Sequence, residues 1–114
     1  MLFTIKYLEA ITIKISKAIS NQNIFFTISG RLDTLTTPQL EDEIKNTSFE
    51  NTENVILNMS ELEYISSLGL RVILSLYKLL KKQNSELKII NVSNSIMELF
   101  SMTGLADYIN IETS

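Results

Sequence analysis

Residues 63–82 read EYISSLGLRVILSLYKLLKK, a stretch in which two adjacent serines and a glycine precede a long apolar run. From Leu68 onward, polar residues return at the spacing of a helix and form one narrow face, while the other positions are apolar. The polar face consists of Arg71, Ser75, Lys78 and Lys82. The positions expected to face a core are Leu70, Ile73, Leu74 and Tyr77. The pattern predicts a helix over residues 68–82 that packs on a sheet and leaves some apolar surface free.

The two serines, Ser66 and Ser67, stand where this helix is expected to begin. A serine at a helix N-cap stabilises the helix by about 1 kcal/mol, so capping alone accounts for one hydroxyl. The same helix end carries a partial positive charge, and a phosphate on one of these serines would be tolerated there. Two interpretations therefore stay open, a structural cap and a phosphorylation site that adds about −1.5 to −2 charges to the surface. Gly69 suits both, because its missing side chain allows a close approach to the helix start.

The rest of the chain alternates between strand and helix signals. ITIKI at residues 11–15 and NIFFTISG at residues 23–30 predict a hairpin, with SKAISNQ at residues 16–22 as its turn and Gly30 as its end. Three further segments read as short strands: NVILNM at residues 54–59, ELKIINV at 86–92 and DYINI at 107–111. The strands are separated by helices, and this order predicts an α/β fold with a mixed sheet and helices mainly on one face.

Two shorter helices are expected besides the one after the serines. TTPQLEDEIKN at residues 36–46 has a threonine cap and acidic residues near the positive end of the helix dipole. NSIMELFSM at residues 94–102 has Ser95 and Glu98 at the spacing of a capping box. Gly104 is expected to end this helix in a left-handed conformation.

Composition excludes several classes of function. The 114 residues suit one domain, and their net charge of −3 gives no basic footprint for nucleic acid. The chain has no cysteine and no histidine, which removes disulfides, the common metal sites and Ser-His or Cys-His nucleophile pairs. We therefore expect no metal and no cofactor. Charged residues interrupt residues 1–17, so that segment predicts neither a signal peptide nor a membrane span, and we expect the chain to stay in the cytoplasm.

Three segments together resemble the STAS domain, as found in bacterial anti-sigma factor antagonists. They are SGRLDTLTTPQLEDEI at residues 29–44, VILNMSELEYISSLGLRVILSLYKLLKK at 55–82 and LKIINVSNSIMELFSMTGLADYINI at 87–111. The resemblance implies the STAS fold, with a mixed sheet of four to five strands and helices packed mainly on one face. It implies a single domain over residues 1–114 with a core at 11–111, and leaves residues 1–10 as an N-terminal extension or an extra strand.

The resemblance also implies a switch. In antagonists similar to this chain, the serine just before a Gly-Leu pair is phosphorylated by the anti-sigma factor, which is itself a serine kinase. Matching on Gly69 and Leu70 gives Ser67 as the phosphorylation site. The unphosphorylated antagonist sequesters the kinase and frees a sigma factor for transcription, and a PP2C-type phosphatase restores that form. The implied partner-binding residues are Asp33, Thr34, Ser66, Ser67, Leu68, Gly69 and Arg71.

Three positions differ from the family pattern. Ser66 stands where switch members often have aspartate, Leu68 where they have a second hydroxyl, and Asn58 where many relatives have aspartate. STAS relatives also serve as unphosphorylated scaffolds in signalling complexes and as accessory subunits of lipid transporters, and this remains the alternative. An enzyme ranks third, since Ser67 has no histidine to activate it. The sequence leaves the oligomeric state open.

Overall fold

The computed structural model describes residues 13–114, so the expectations for residues 1–10 and for the start of the predicted strand at residues 11–15 lie outside the described part. Within residues 13–114 the fold has six strands, three α-helices and one 3₁₀ turn. The strands are β1 (Lys14–Ser20), β2 (Asn23–Leu32), β3 (Asn54–Asn58), β4 (Leu62–Ile65), β5 (Glu86–Val92) and β6 (Asn110–Thr113). The helices are α1 (Thr37–Lys45), α2 (Ser67–Lys82) and α3 (Asn94–Met102), and the 3₁₀ turn is Leu105–Asp107.

The strands form one mixed sheet in the order β1-β2-β3-β5-β6, with β4 paired to β2. Only the β1–β2 pair is antiparallel among the described strands. β2 is long enough to pair with β3 through Asn23–Thr27 and then with β4 through Gly30–Leu32. The C-terminal ends of β2 and β4 therefore lie side by side, and β4 leads directly into α2. The predicted α/β fold is confirmed, with more strands than the four to five expected.

The core lies on one face of the sheet. Phe26, Leu57 and Ile89 occupy one row across three strands and are almost fully buried. They share a core with one buried side chain or more from each helix, including Leu40, Ile73 and Phe100. On the opposite face, the next row consists of Phe25, Ile56 and Lys88, all of them partly or fully exposed. The helices thus pack on one face, as predicted.

The hairpin differs from the prediction. Residues 16–20 belong to β1, and the turn is only Asn21 and Gln22, with Asn21 in the left-handed conformation at φ 56°. Most of β1 is exposed at the edge of the described sheet, so its sequence lacks the alternation that marks a half-buried strand. Gly30 does not end β2 but lies within it at φ 109°, where the pairing with β4 shifts register, and the strand continues to Leu32.

The third helix is capped differently from the prediction as well. Its N-cap is Ser93, whose Oγ accepts a hydrogen bond from the Ile96 backbone N–H at 3.4 Å, so the expected capping box of Ser95 and Glu98 is wrong. Gly104 follows the helix at φ 80°, which confirms the left-handed end, and Leu105 beside it is buried. No helix in the described range is long and apolar enough to cross a membrane.

Candidate protein-binding site at the start of helix α2

The two serines differ in their surroundings. Ser66 is the N-cap of α2, and its Oγ accepts a hydrogen bond from the Gly69 backbone N–H at 3.4 Å. Ser66 is partly buried, whereas Ser67, the first helical residue, is exposed and its hydroxyl has no hydrogen-bond partner within residues 13–114. The helix cap and the exposed hydroxyl therefore belong to different residues, Ser66 and Ser67. The capping argument alone did not decide between the two serines, and the exposure of Ser67 at the helix start agrees with its selection through the family resemblance.

The start of α2 is fixed to the end of β2. The Ser66 backbone N–H donates to the Leu32 carbonyl oxygen at 2.8 Å, extending the pairing of β2 with β4 by one bond. Gly69, the third residue of the helix, is buried, and a Cβ atom at this position would lie 2.8 Å from Ile65 Cγ1 and 3.3 Å from Leu32 Cβ. The missing side chain of Gly69 is thus required by the protein's own core. This packing holds Ser67 at a defined place beside the β2–α1 loop.

The β2–α1 loop, residues 33–36, is ordered by Asp33. One carboxylate oxygen of Asp33 accepts hydrogen bonds from the backbone N–H groups of Leu35 and Thr36, at 3.0 and 3.1 Å. The Thr36 hydroxyl donates to the Arg31 carbonyl oxygen and also lies 3.2 Å from the Asp33 carboxylate. Asp33 therefore acts as a turn residue whose carboxylate bonds within its own loop. Thr34 and Leu35 remain exposed at the tip, and Leu35 is 63% exposed.

The acidity of Asp33 reflects these bonds. Burial raises the pKa of the carboxyl group, but the hydrogen bonds from Thr36 and Leu35 and the nearby charge of Arg31 outweigh it. The net result is a pKa below the ordinary value of 3.8. Asp33 is consequently a carboxylate at neutral pH, and its negative charge is part of the surface beside Ser67.

The remaining predicted residues complete one surface. Leu68 is partly exposed, and Arg71 is exposed one helical turn after Ser67. The loop with Asp33 and Thr34 and the helix start with Ser66, Ser67 and Leu68 are joined through the Ser66–Leu32 hydrogen bond. The structure thus brings the predicted residues to one end of the sheet, with Gly69 below the surface and the others at it.

Two features of this region were missed by sequence reasoning. Leu35, an exposed leucine between polar neighbours, is held at the loop tip, and its position in the sequence LDTLTT was the available signal. The guanidinium of Arg31 lies 4.4 Å from the centre of the Tyr64 ring, a cation–π contact across β2 and β4. The sequence predicted no strand at residues 62–65, so this contact between strands was not expected.

Asn58 stabilises the turn that precedes β4. Its side-chain oxygen accepts hydrogen bonds from the Ser60 backbone N–H and from Asn91 Nδ2, both at 3.0 Å. A carboxylate would accept the same two bonds, so asparagine fulfils the same local role as the aspartate of many relatives. Among residues 13–114, no group of three or more acidic side chains is placed to hold a metal ion.

Comparison with known proteins identifies the family. The family model described as STAS domain matches residues 13–114. The chain belongs to the STAS domain family. A STAS relative, the anti-sigma-B factor antagonist of Staphylococcus aureus (strain NCTC 8325 / PS 47), is 32% identical over 84 residues, which cover 74% of this chain and 78% of that protein.

Solved structures agree with the STAS fold. The crystal structure of an anti-sigma factor antagonist from Mycobacterium paratuberculosis matches with a TM-score of 0.81 at 19% identity, covering 91% of this chain and 88% of that one. The Bacillus cell fate determinant SpoIIAA in its phosphorylated form matches with a TM-score of 0.68 at 18% identity, covering 89% and 93%. At these identities the likeness concerns the fold.

Proposed function

We propose that this STAS domain is an anti-sigma factor antagonist, a non-enzymatic protein that binds an anti-sigma factor and thereby frees a sigma factor for transcription. The name of the Staphylococcus aureus relative, at 32% identity over 78% of its length, supports this proposal. The observation that carries it is the exposed hydroxyl of Ser67, which has no hydrogen-bond partner within residues 13–114 and lies beside the hydrogen-bonded Asp33 loop. We expect the protein to act in the cytoplasm, where sigma factors work.

Ser67 is the proposed phosphorylation site. The anti-sigma factor, acting as a serine kinase, transfers the γ-phosphoryl group of ATP to Ser67 Oγ, while ADP leaves and the hydroxyl proton passes to a base of the kinase. A PP2C-type phosphatase then hydrolyses the phosphoserine, with water restoring the hydroxyl and releasing inorganic phosphate. Ser66 is a poorer acceptor, because its Oγ caps the helix and is partly buried.

The phosphate would change binding without unfolding the domain. At the first residue of α2 it lies near the positive end of the helix dipole, which favours an anion by some tenths of a kcal/mol. It adds about −1.5 to −2 charges to a surface that already contains the Asp33 carboxylate. Binding to a partner fitted to the unmodified surface is then opposed by desolvation and charge repulsion.

The test is phosphorylation in solution. The protein is incubated with ATP and the anti-sigma factor of the same organism, and mass spectrometry locates the phosphate. We expect one phosphate on Ser67 in the parent protein and none in Ser67→Ala, with Ser66→Ala still modified. Binding of the anti-sigma factor without any phosphorylation would favour the unphosphorylated scaffold instead. If the anti-sigma factor neither binds nor phosphorylates the protein, the proposal is contradicted.

A further inference from the structure

A groove runs between α1 and α2. It has a volume of about 200 Å³, several times the roughly 30 Å³ of one water in the liquid, so it has room for a large apolar side chain. Its walls include Glu41, Ile44 and Lys45 from α1 and Val72, Ser75 and Leu79 from α2. Leu79 is 46% exposed, more than any other apolar side chain of α2.

An apolar stripe of α2 extends from the groove towards Ser67. Successive residues of a helix are about 100° apart, so Leu68, Val72 and Leu79 fall on one stripe. Val72 and Leu79 line the groove, and the partly exposed Leu68 extends their stripe to the helix start. An apolar strip thus leads from the groove to the residue beside Ser67.

A basic edge accompanies this strip. Ser67, Arg71, Lys78 and Lys82 lie on the adjoining stripe of α2, and all are exposed. The ion pairs within residues 13–114 are Lys17–Glu43 and Lys88–Glu112, so none of these three cations is paired there. In a chain of net charge −3, a row of unpaired cations beside an apolar groove is complementary to an acidic partner.

We propose that this groove receives an amphipathic helix of the anti-sigma factor, with its apolar residues against Ile44, Val72 and Leu79 and its acidic residues facing Arg71 and Lys78. This inference rests on the proposed function. Helix-in-groove binding uses an apolar face for affinity and charged edges for orientation, and the groove offers both on one surface.

The arrangement explains how a phosphate would act on the groove. Ser67 and Arg71 are four residues apart on the same stripe, the spacing at which charged side chains on a helix pair. A phosphate on Ser67 therefore competes with an acidic residue of the partner for Arg71. Phosphorylation of Ser67 thereby weakens the binding of the helix in the groove.

The apolar contact is tested by Leu79→Ser, with Met102→Ser as a matched control. Met102 is 76% exposed at the end of α3 and does not line the groove, so both changes remove an exposed apolar side chain without altering the charge. In calorimetric titrations with the anti-sigma factor, we expect Leu79→Ser to weaken binding roughly tenfold or more and the control to bind like the parent. Equal affinities for the parent and Leu79→Ser would overturn the proposal.

The charged edge is tested by Lys78→Glu, with Lys14→Glu in the exposed strand β1 as the control for net charge. We expect Lys78→Glu to weaken binding by about tenfold and Lys14→Glu to bind like the parent. The difference in affinity between the two variants should be smaller at high salt, because salt screens the charges. If the parent does not bind the anti-sigma factor, the proposed function fails. If it binds, and Ser67→Asp weakens binding while Leu79→Ser and Lys78→Glu do not, the groove proposal alone fails.

Other occupants of the groove are distinguished by two measurements on the protein without its partner. Sedimentation velocity of the parent and Leu79→Ser tests for a second copy, and we expect both to be monomers. Flotation with phosphatidylglycerol vesicles tests for an anionic membrane, and we expect no binding. A dimer that Leu79→Ser dissociates, or vesicle binding that Lys78→Glu abolishes, would assign the groove to that occupant and overturn the proposal.

Discussion

The side chain of Ile65 occupies the space that a side chain at Gly69 would need, because a Cβ atom there would lie 2.8 Å from Ile65 Cγ1. Ile65 is the last residue of β4 and is 2% exposed, so it has little freedom to move away. The close approach between the end of β4 and the start of α2 fixes Ser67 beside the Asp33 loop.

Gly69→Ala is therefore expected to destabilise the protein. Overpacking of a core costs about 1–3 kcal/mol, and the better helix propensity of alanine returns up to about 1 kcal/mol. We expect a net loss of about 1–2 kcal/mol in the free energy of unfolding, measured with urea. Ser75→Ala on the exposed side of the same helix is the control and should change stability by less than about 0.5 kcal/mol. A Gly69→Ala variant as stable as the parent would contradict this packing.

The two serines should differ in their effects on stability. Ser66→Ala removes the N-cap hydrogen bond to Gly69 and should cost about 1 kcal/mol. Ser67→Ala removes an exposed hydroxyl without a partner in the described range and should stay within about 0.5 kcal/mol of the parent. Thermal or urea unfolding of both variants measures these two losses. A larger loss of stability for Ser67→Ala than for Ser66→Ala would mean that Ser67 is the cap.

Asp33 should give the loop a pH-dependent stability. Its folded-state pKa lies below the ordinary value of 3.8, so its stabilising contribution is present above that value and is lost as the pH falls through the folded-state pKa. Asp33→Ala should cost about 1–2 kcal/mol at pH 7, because several hydrogen bonds to the carboxylate are lost. Urea unfolding should show a smaller difference between the parent and the variant at pH 3 than at pH 7. A difference that grows with acidity would contradict the assigned hydrogen bonds.

Asn58 should tolerate aspartate better than alanine. Asn58→Asp keeps an acceptor for the Ser60 N–H and Asn91 Nδ2, whereas Asn58→Ala removes the side-chain oxygen that accepts from both donors. We expect alanine to cost about 1–3 kcal/mol and aspartate less, in urea unfolding at pH 7. Equal losses would show that the side-chain oxygen is not what matters at this position.

The sequence predicted the parts of the fold that have strong periodicity. The polar face of α2, including Arg71 and Lys78, is exposed as expected, and the predicted strand at residues 86–92 is β5 without change of bounds. β4 was missed because its four residues are buried at both ends and exposed in the middle, so they lack the alternation that marks a half-buried strand, and the two buried residues are spaced as in a helix.

The residues of the candidate site are a prediction from the family resemblance, whereas their arrangement required the structure. The resemblance selected Ser67, yet only the structure separates it from Ser66 by exposure and hydrogen bonding. The groove between α1 and α2 depends on how two helices far apart in sequence pack together, and no local pattern contains that information.

A negative charge at Ser67 is expected to release the anti-sigma factor, and titration calorimetry of Ser67→Asp against that partner tests this most directly. Ser67→Ala should bind like the parent, and Ser95→Asp, at another exposed serine in the first turn of a helix, controls for an added acid. A carboxylate carries less charge than a phosphate, so we expect Ser67→Asp to weaken binding by about 1–3 kcal/mol, or about 5- to 150-fold, with circular dichroism showing a folded protein. An unchanged affinity of Ser67→Asp, together with no phosphate added to the parent by the partner and ATP, would contradict the account.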